Sequence, residues 1–121
     1  MSKYILAAVD DMFFAAKIKG TAEQLGLQVV LVKSVERAVE KALEETPSII
    51  IADLHSTKFD PFTLAAKLKA TERLHDVPLI GFFSHVQTEL QRRAEQSGFD
   101  KVMPRSAFSK QLPEILKASS Q

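Results

Sequence analysis

The sequence contains no cysteine and no tryptophan. The lack of cysteine excludes disulfide bonds, thiolate nucleophiles and sulfur-ligated zinc, and it is compatible with a reducing compartment. No apolar run approaches the ~20 residues that a membrane-spanning helix needs, so no membrane partner is expected. With only four glycines and five prolines in 121 residues, a collagen-like or low-complexity chain is excluded as well.

The chain also lacks an excess of charge of either sign. Sixteen basic and fifteen acidic side chains leave a net charge of +1, and they are scattered along the sequence. No broad electrostatic field is therefore available to attract nucleic acid or an anionic membrane. With 45% apolar and 26% charged residues, we expect an ordinary globular protein, a single domain over residues 1–121, and a cytoplasmic location.

Five short apolar runs recur along the chain, at residues 5–9, 29–32, 49–52, 77–83 and, more weakly, 102–103. They are apolar throughout and do not alternate with polar residues. This pattern is typical of parallel strands that are covered by helices on both faces.

The segments between these runs have the apolar spacing of amphipathic helices. Gly26 and Gly98 stand where helices should end, and Asp60 with Pro61 forms a typical helix start. Five βα units in succession predict an α/β fold, a doubly wound five-stranded parallel sheet in the flavodoxin-like order 2-1-3-4-5. Pro113 is tolerable only in a first turn, so the last helix is expected to begin near Ser109.

Acidic residues follow two of the predicted strands. Asp10 and Asp11 follow the first strand, and Asp53 follows the third. In this topology the carboxyl ends of strands one and three flank the crevice where ligands bind. Three carboxylates in one crevice repel one another, and Mg²⁺ is a cation that neutralises such a group. For Asp11 alone, capping of the following helix is an equally good interpretation.

The order and spacing of these motifs resemble the receiver domain of two-component response regulators over essentially the whole chain. The matching stretches are Ile-Leu-Ala-Ala-Val-Asp10-Asp11, Ile-Ile-Ile-Ala-Asp53, Val-Pro-Leu-Ile at 77–80, and a glycine before strand five. The resemblance implies that Asp53 is the phosphoacceptor. It also implies that Asp10 and Asp11 hold Mg²⁺ with Asp53, and that the backbone carbonyl of His55 completes the metal shell.

Several positions depart from the family pattern. Arg105 stands where the family has a lysine that reaches the phosphoryl group. Phe83 stands at the family's threonine or serine position, and Ser84, one residue later, could replace it only if the strand slips or bulges. Val102 replaces the usual switch aromatic. Phe108 falls one residue late, so we expect a reshaped loop after strand five.

The resemblance implies a receiver domain that signals through protein contacts, with a phosphoryl group accepted on Asp53. Such a domain catalyses at most its own phosphorylation and dephosphorylation and is not otherwise an enzyme. The expected partners are a sensor histidine kinase or phosphotransfer protein and an unknown output protein. If the domain dimerises, helix four, strand five and helix five are the expected interface.

Three alternatives stay open at this point. The altered positions also suit a pseudo-receiver, a protein-interaction module that works without phosphorylation. A flavodoxin-like cofactor site is disfavoured by the two negative charges after strand one, and a transition-metal site would use His55 and His85. Phe13, Phe14 and Phe82 are expected in the core or the pocket wall rather than in a recognition surface.

Overall fold

The computed structural model describes residues 4–84 and 88–119, with only the backbone of Ser119. In these ranges five strands alternate with five helices. None of the described helices is long and apolar enough to cross a membrane. The strands are β1 (Tyr4–Ala8), β2 (Gln28–Val32), β3 (Ile49–Asp53), β4 (Leu79–Phe83) and β5 (Lys101–Pro104); the helices are α1 (Met12–Gln24), α2 (Val35–Glu44), α3 (Pro61–Ala70), α4 (Thr88–Ser97) and α5 (Arg105–Ser119).

The strands form one parallel sheet in the order β2-β1-β3-β4-β5, which confirms the predicted topology. Ile5 of β1 is level with Val29 of β2 on one side and with Ile49 of β3 on the other. Since all strands run the same way, their carboxyl ends meet at one edge of the sheet.

Alternate residues of the strands face two separate apolar clusters. Ile5 and Ala7 of β1 pack against α1 and α5, whereas Leu6 and Ala8 pack against α2, α3 and α4. Both faces of the three central strands, β1, β3 and β4, are thereby buried, which explains why these strands are largely apolar.

The helix boundaries follow the expected signals with one exception. Gly26 and Gly98 have positive φ angles of 73° and 119° and end α1 and α4. The Asp60 carboxylate caps α3 by accepting a hydrogen bond from the Phe62 N–H at 2.9 Å, and Pro61 is the first helical residue.

The exception is α5, for which the predicted start near Ser109 is wrong. The helix begins at Arg105, directly after β5, and Pro113 lies in its interior. Pro113 is exposed, so water can bond to the carbonyl that loses its intrahelical donor. The expected reshaped loop after strand five is also absent, because no residue separates β5 from α5.

Lys69 of α3 forms hydrogen bonds with both chain segments that lead into β4 and β5. Its Nζ donates to the His75 carbonyl and to Asp100 Oδ2, both at 3.1 Å. The same Asp100 oxygen accepts a hydrogen bond from the Leu79 N–H at 2.8 Å. The Lys69 stem lies against Gly98, where an added Cβ would be 2.6 Å from Lys69 Cγ.

Gly98→Ala should therefore destabilise the protein by about 2 kcal/mol, because the new methyl group meets Lys69 and the φ angle is unfavourable for alanine. Gly20→Ala is the matched control. Gly20 lies in the exposed interior of α1 with no atom within 4 Å of an added Cβ, so this change should stabilise by about 0.5–1 kcal/mol. Urea unfolding followed by circular dichroism measures both, and equal effects would contradict the prediction.

Candidate functional site

The candidate site lies where β1, β3 and β5 end. Asp10 and Asp11 follow β1, Asp53 is the last residue of β3, and Arg105 follows β5 directly. The strand order brings these residues from distant parts of the sequence to one edge of the sheet. Asp53 is level with Phe82 of β4, so its side chain leaves the sheet on the side of α1 and α5.

Asp53 is the buried charged residue within the described ranges, with 4% of its surface exposed. Burial raises its pKa above the ordinary carboxyl value, and the negative charge of Asp10 adds to this effect. A hydrogen bond from the His55 N–H to Asp53 Oδ1, 2.8 Å long, and the charge of Arg105 lower the pKa in part. The net effect is a raised pKa, so the folded protein disfavours the ionised form of Asp53.

Asp11 has two roles in the structure. Its Oδ1 accepts hydrogen bonds from the backbone N–H groups of Phe13 and Phe14, at 2.9 and 3.2 Å, and so caps α1. Its Oδ2 accepts a hydrogen bond from an Arg105 guanidinium nitrogen at 3.0 Å. The capping interpretation of Asp11 is therefore confirmed, and an ion pair that the sequence did not reveal is added to it.

Arg105 is held from a second side by an aromatic ring. Its guanidinium carbon lies 4.3 Å from the centre of the Phe14 ring. Phe14 packs in turn against Phe82 and Phe108, with ring centres 5.1 and 6.4 Å away. The cation at the site is thus seated on an aromatic cluster that belongs to the core, an arrangement that no spacing rule in the sequence indicated.

The oxygen donors at this edge have the chemistry that Mg²⁺ prefers, but they are not gathered as ligands. Across residues 4–84 and 88–119, no group of three acidic or histidine side chains stands close enough to hold a metal ion. The three carboxylates lie at one edge of the sheet, as expected, but Asp11 is turned toward its cap and Arg105, and the Mg²⁺ site stays a prediction. His55 contributes its backbone N–H to Asp53, and its side chain is exposed.

The transition-metal alternative gains no support. His85 lies outside the described residues. In the described part of the chain, His55 belongs to no group of three acidic or histidine side chains that could hold a metal ion.

Phe83 and Ser84 occupy different environments at the end of β4. Phe83 is 2% exposed and packs in the cluster formed with α2, α3 and α4. The pairing of β4 with β3 is regular from Leu79 to Phe82, so no slip or bulge brings Ser84 into the place of Phe83. Ser84 is exposed just after the strand.

The expectation that Phe13 is a core or pocket-wall residue is wrong. Phe13 is 74% exposed, and its neighbour Met12 is 82% exposed, at the start of α1 beside Asp11. Phe14 and Phe82 are buried as expected. The helical spacing of Phe14 with Ile18 and Ala22 already placed Phe13 off the buried face, so this signal was available in the sequence.

Comparisons with known proteins were made with both sequence and structure. No protein-family model matches the chain. It is 32% identical to the gliding motility regulatory protein of Myxococcus xanthus over 93 residues, which are 76% of this chain and 12% of that protein. It is 25% identical over 121 residues to the sensor histidine kinase CheAY of Helicobacter pylori, covering 98% of this chain and 15% of that protein. The chain therefore spans less than a sixth of each relative.

Solved structures show a closer likeness in fold than in sequence. A response regulator from Hahella chejuensis superimposes with a TM-score of 0.86 at 16% identity, covering 98% of this chain and 95% of that chain. The phosphorylated cyanobacterial phytochrome response regulator RcpA superimposes with a TM-score of 0.79 at 20% identity, covering 98% and 91%.

The fold and the acidic edge define a doubly wound α/β domain with charged residues at the carboxyl ends of its strands. More specifically, the chain has the fold of response regulator receiver domains, and the resemblance predicted from its motifs is confirmed.

Asp53→Asn should stabilise the fold at neutral pH by on the order of 1 kcal/mol, because it removes a buried charge. Since the folded-state pKa of Asp53 is raised, the wild-type carboxyl favours folding below about pH 3.8, its ordinary value, and that contribution is lost as pH rises through the raised pKa. The variant's advantage should therefore grow above about pH 4 and then level off. Urea unfolding from pH 3 to 8 tests this, with Asp76→Asn as the control for removal of an exposed carboxylate.

Phe83→Thr should destabilise the protein by about 3 kcal/mol, because it leaves a cavity in the cluster beside α3 and α4. Ser84→Ala, at the exposed neighbouring position, should change the free energy of unfolding by less than about 0.5 kcal/mol. Thermal and urea unfolding of both variants measure these changes in the free energy of unfolding. A small loss in Phe83→Thr would mean that the ring is not packed as described.

Proposed function

We propose that this domain accepts a phosphoryl group on Asp53 with the help of Mg²⁺ and signals through protein contacts. The observation that carries the proposal is the placement of Asp53. Its buried carboxylate ends the strand at the centre of the sheet edge, with Asp10 and Arg105 close enough to act on its charge. A structural aspartate has no need of this burial, which costs stability.

The residues of this chain have separable tasks in that reaction. The His55 N–H holds Asp53 Oδ1 and so orients the carboxylate. Asp10, Asp11, Asp53 and the His55 carbonyl would hold Mg²⁺, which when bound lessens the repulsion between the carboxylate and the incoming phosphoryl oxygens. Arg105 brings a fixed positive charge that can bind phosphoryl oxygens through two parallel N–H groups.

The phosphoryl donor that we propose is a sensor histidine kinase or a phosphotransfer protein. A sensor histidine kinase is one of the relatives in which a stretch similar to this chain occurs, and RcpA was solved in a phosphorylated form. The exposed Met12 and Phe13 lie at the start of α1, next to Asp11. An apolar surface beside the acceptor suits contact with a protein donor.

A second function, the phosphorylation-independent pseudo-receiver, is favoured by one specific observation. Phe83, at the position of the family's hydroxyl side chain, is locked in the apolar cluster and cannot hydrogen-bond a phosphoryl group. Val102 packs against the same cluster in place of the switch aromatic. In a pseudo-receiver, partner binding does not depend on phosphorylation, whether or not Asp53 accepts a phosphoryl group.

The output side that we propose is α4, β5 and α5, through which the domain would contact an output protein or a second copy of itself. We also propose a cytoplasmic location, since a chain without cysteine suits a reducing compartment.

Incubation with acetyl phosphate and Mg²⁺ should add one phosphoryl group to the wild-type chain, detected by intact-mass spectrometry. Asp53→Asn should remain unmodified because the nucleophilic carboxylate is gone, whereas Asp76→Asn should be modified like the wild type. Two-dimensional NMR of the same samples reports whether amide shifts reach α4 and β5.

Labelling of Asp53→Asn would refute Asp53 as the acceptor. Modification of Asp53 with shifts confined to the sheet edge would favour a domain whose switch is uncoupled. Absence of modification under all these conditions would favour the pseudo-receiver.

A further inference from the structure

Arg105 couples the site to the hydrophobic core through an aromatic ring. Its guanidinium group donates to Asp11 Oδ2 at 3.0 Å and stacks on the Phe14 ring at 4.3 Å. The Phe14 ring is 5.1 Å from Phe82, and Phe82 is 4.8 Å from Phe108. Because these rings are buried, the position of the guanidinium group is set by core packing as well as by charge.

The same ion pair occupies the carboxylate that the metal would need. Asp11 Oδ1 is engaged by two backbone N–H groups, and Asp11 Oδ2 is engaged by Arg105. A divalent cation approaching Asp11 therefore meets a positive charge that is already bound there. Either the guanidinium group leaves Asp11, or the cation binds without this carboxylate.

We propose that Arg105 is the resident counter-cation of the pocket, and that it competes with a divalent cation for Asp11 and is released toward Asp53 when the cation binds. This inference rests on the proposed function, since it concerns the same metal. Arg105 acts on the metal site through its contacts with Asp11 and Phe14, and so is a positioning residue with respect to the cation.

A lysine at this position would not hold the pocket in the same way. The planar guanidinium group can stack on Phe14 and donate in its own plane to Asp11 at the same time, whereas an ammonium group is a strongly hydrated point charge. Exchange of arginine for lysine thus preserves the charge of the pocket and weakens the contacts that hold the cation. Phe14→Leu also weakens the contacts that hold the guanidinium group, because it removes the aromatic ring, and it retains every charge.

Mg²⁺ titration of the metal-free protein, followed by the amide shifts of Asp53 and Leu54 in NMR spectra, tests the competition. Arg105→Lys and Phe14→Leu should each bind Mg²⁺ about fivefold more tightly than the wild type, the factor expected from loss of one cation–π contact and a partly exposed ion pair. The Arg105 Nε–H resonance of the wild type should be shifted by the Phe14 ring and should move on addition of Mg²⁺.

Arg93→Lys is the matched control, because Arg93 stacks on Phe62 at 4.1 Å on a different surface of the domain. It should bind Mg²⁺ like the wild type. If the wild type binds Mg²⁺ and both pocket variants bind it equally or more weakly, the competition is refuted while the proposed function stands. If neither the wild type nor any variant binds Mg²⁺, the proposed phosphorylation and the competition fall together.

Discussion

Placing carboxylates together at one buried sheet edge is the constraint on which the rest of this structure depends. Asp53 ends a central strand with almost no contact with water, and its burial and the charge of Asp10 both oppose ionisation. A fold does not keep such an arrangement for stability, because an amide of the same shape would cost less. The N–H of His55 and the charge of Arg105 reduce the cost without removing it. The site is therefore strained electrostatically in a direction that a cation would relieve.

The second feature on which the site depends is the cluster of aromatic rings that packs against Arg105. Phe14 and Phe82 join the edge of the sheet to the packing of α1 and α5, and Phe14 also supports the guanidinium group of Arg105. The contact of Arg105 with Phe14 is a route from the charged pocket to the packing of α1 and α5. This route runs on the α1 and α5 side of the sheet, whereas the position normally occupied by a switching hydroxyl is filled by Phe83 on the opposite side.

The fold could be predicted from the sequence almost completely, because parallel buried strands and amphipathic helices leave strong periodic signals. Gly26, Gly98 and Asp60 marked boundaries correctly, since positive φ angles and side-chain caps are local effects. Pro113 misled the prediction of the α5 start because the tolerance of a proline inside a helix depends on its exposure, which is a tertiary property. The sequence allowed the site residues to be placed at one edge of the sheet. It did not indicate the contacts of Arg105 with Asp11 and Phe14, because these contacts join positions about 90 residues apart.

These observations separate two properties that the family resemblance joins. In the function that we propose, acceptance of a phosphoryl group depends on Asp53 and on the charges of Asp10 and Arg105 beside it. The capacity to convert that event into a change at α4 and β5 depends on a side chain that can hydrogen-bond a phosphoryl oxygen, and Phe83 cannot do so. Since Phe83 is fixed by core packing, the chain could not regain a hydroxyl there without repacking the cluster beside α3 and α4. Under the proposed function, the contacts of Arg105 with Asp11 and Phe14 are therefore the route by which the site can act on α1 and α5, and the pseudo-receiver needs no such route.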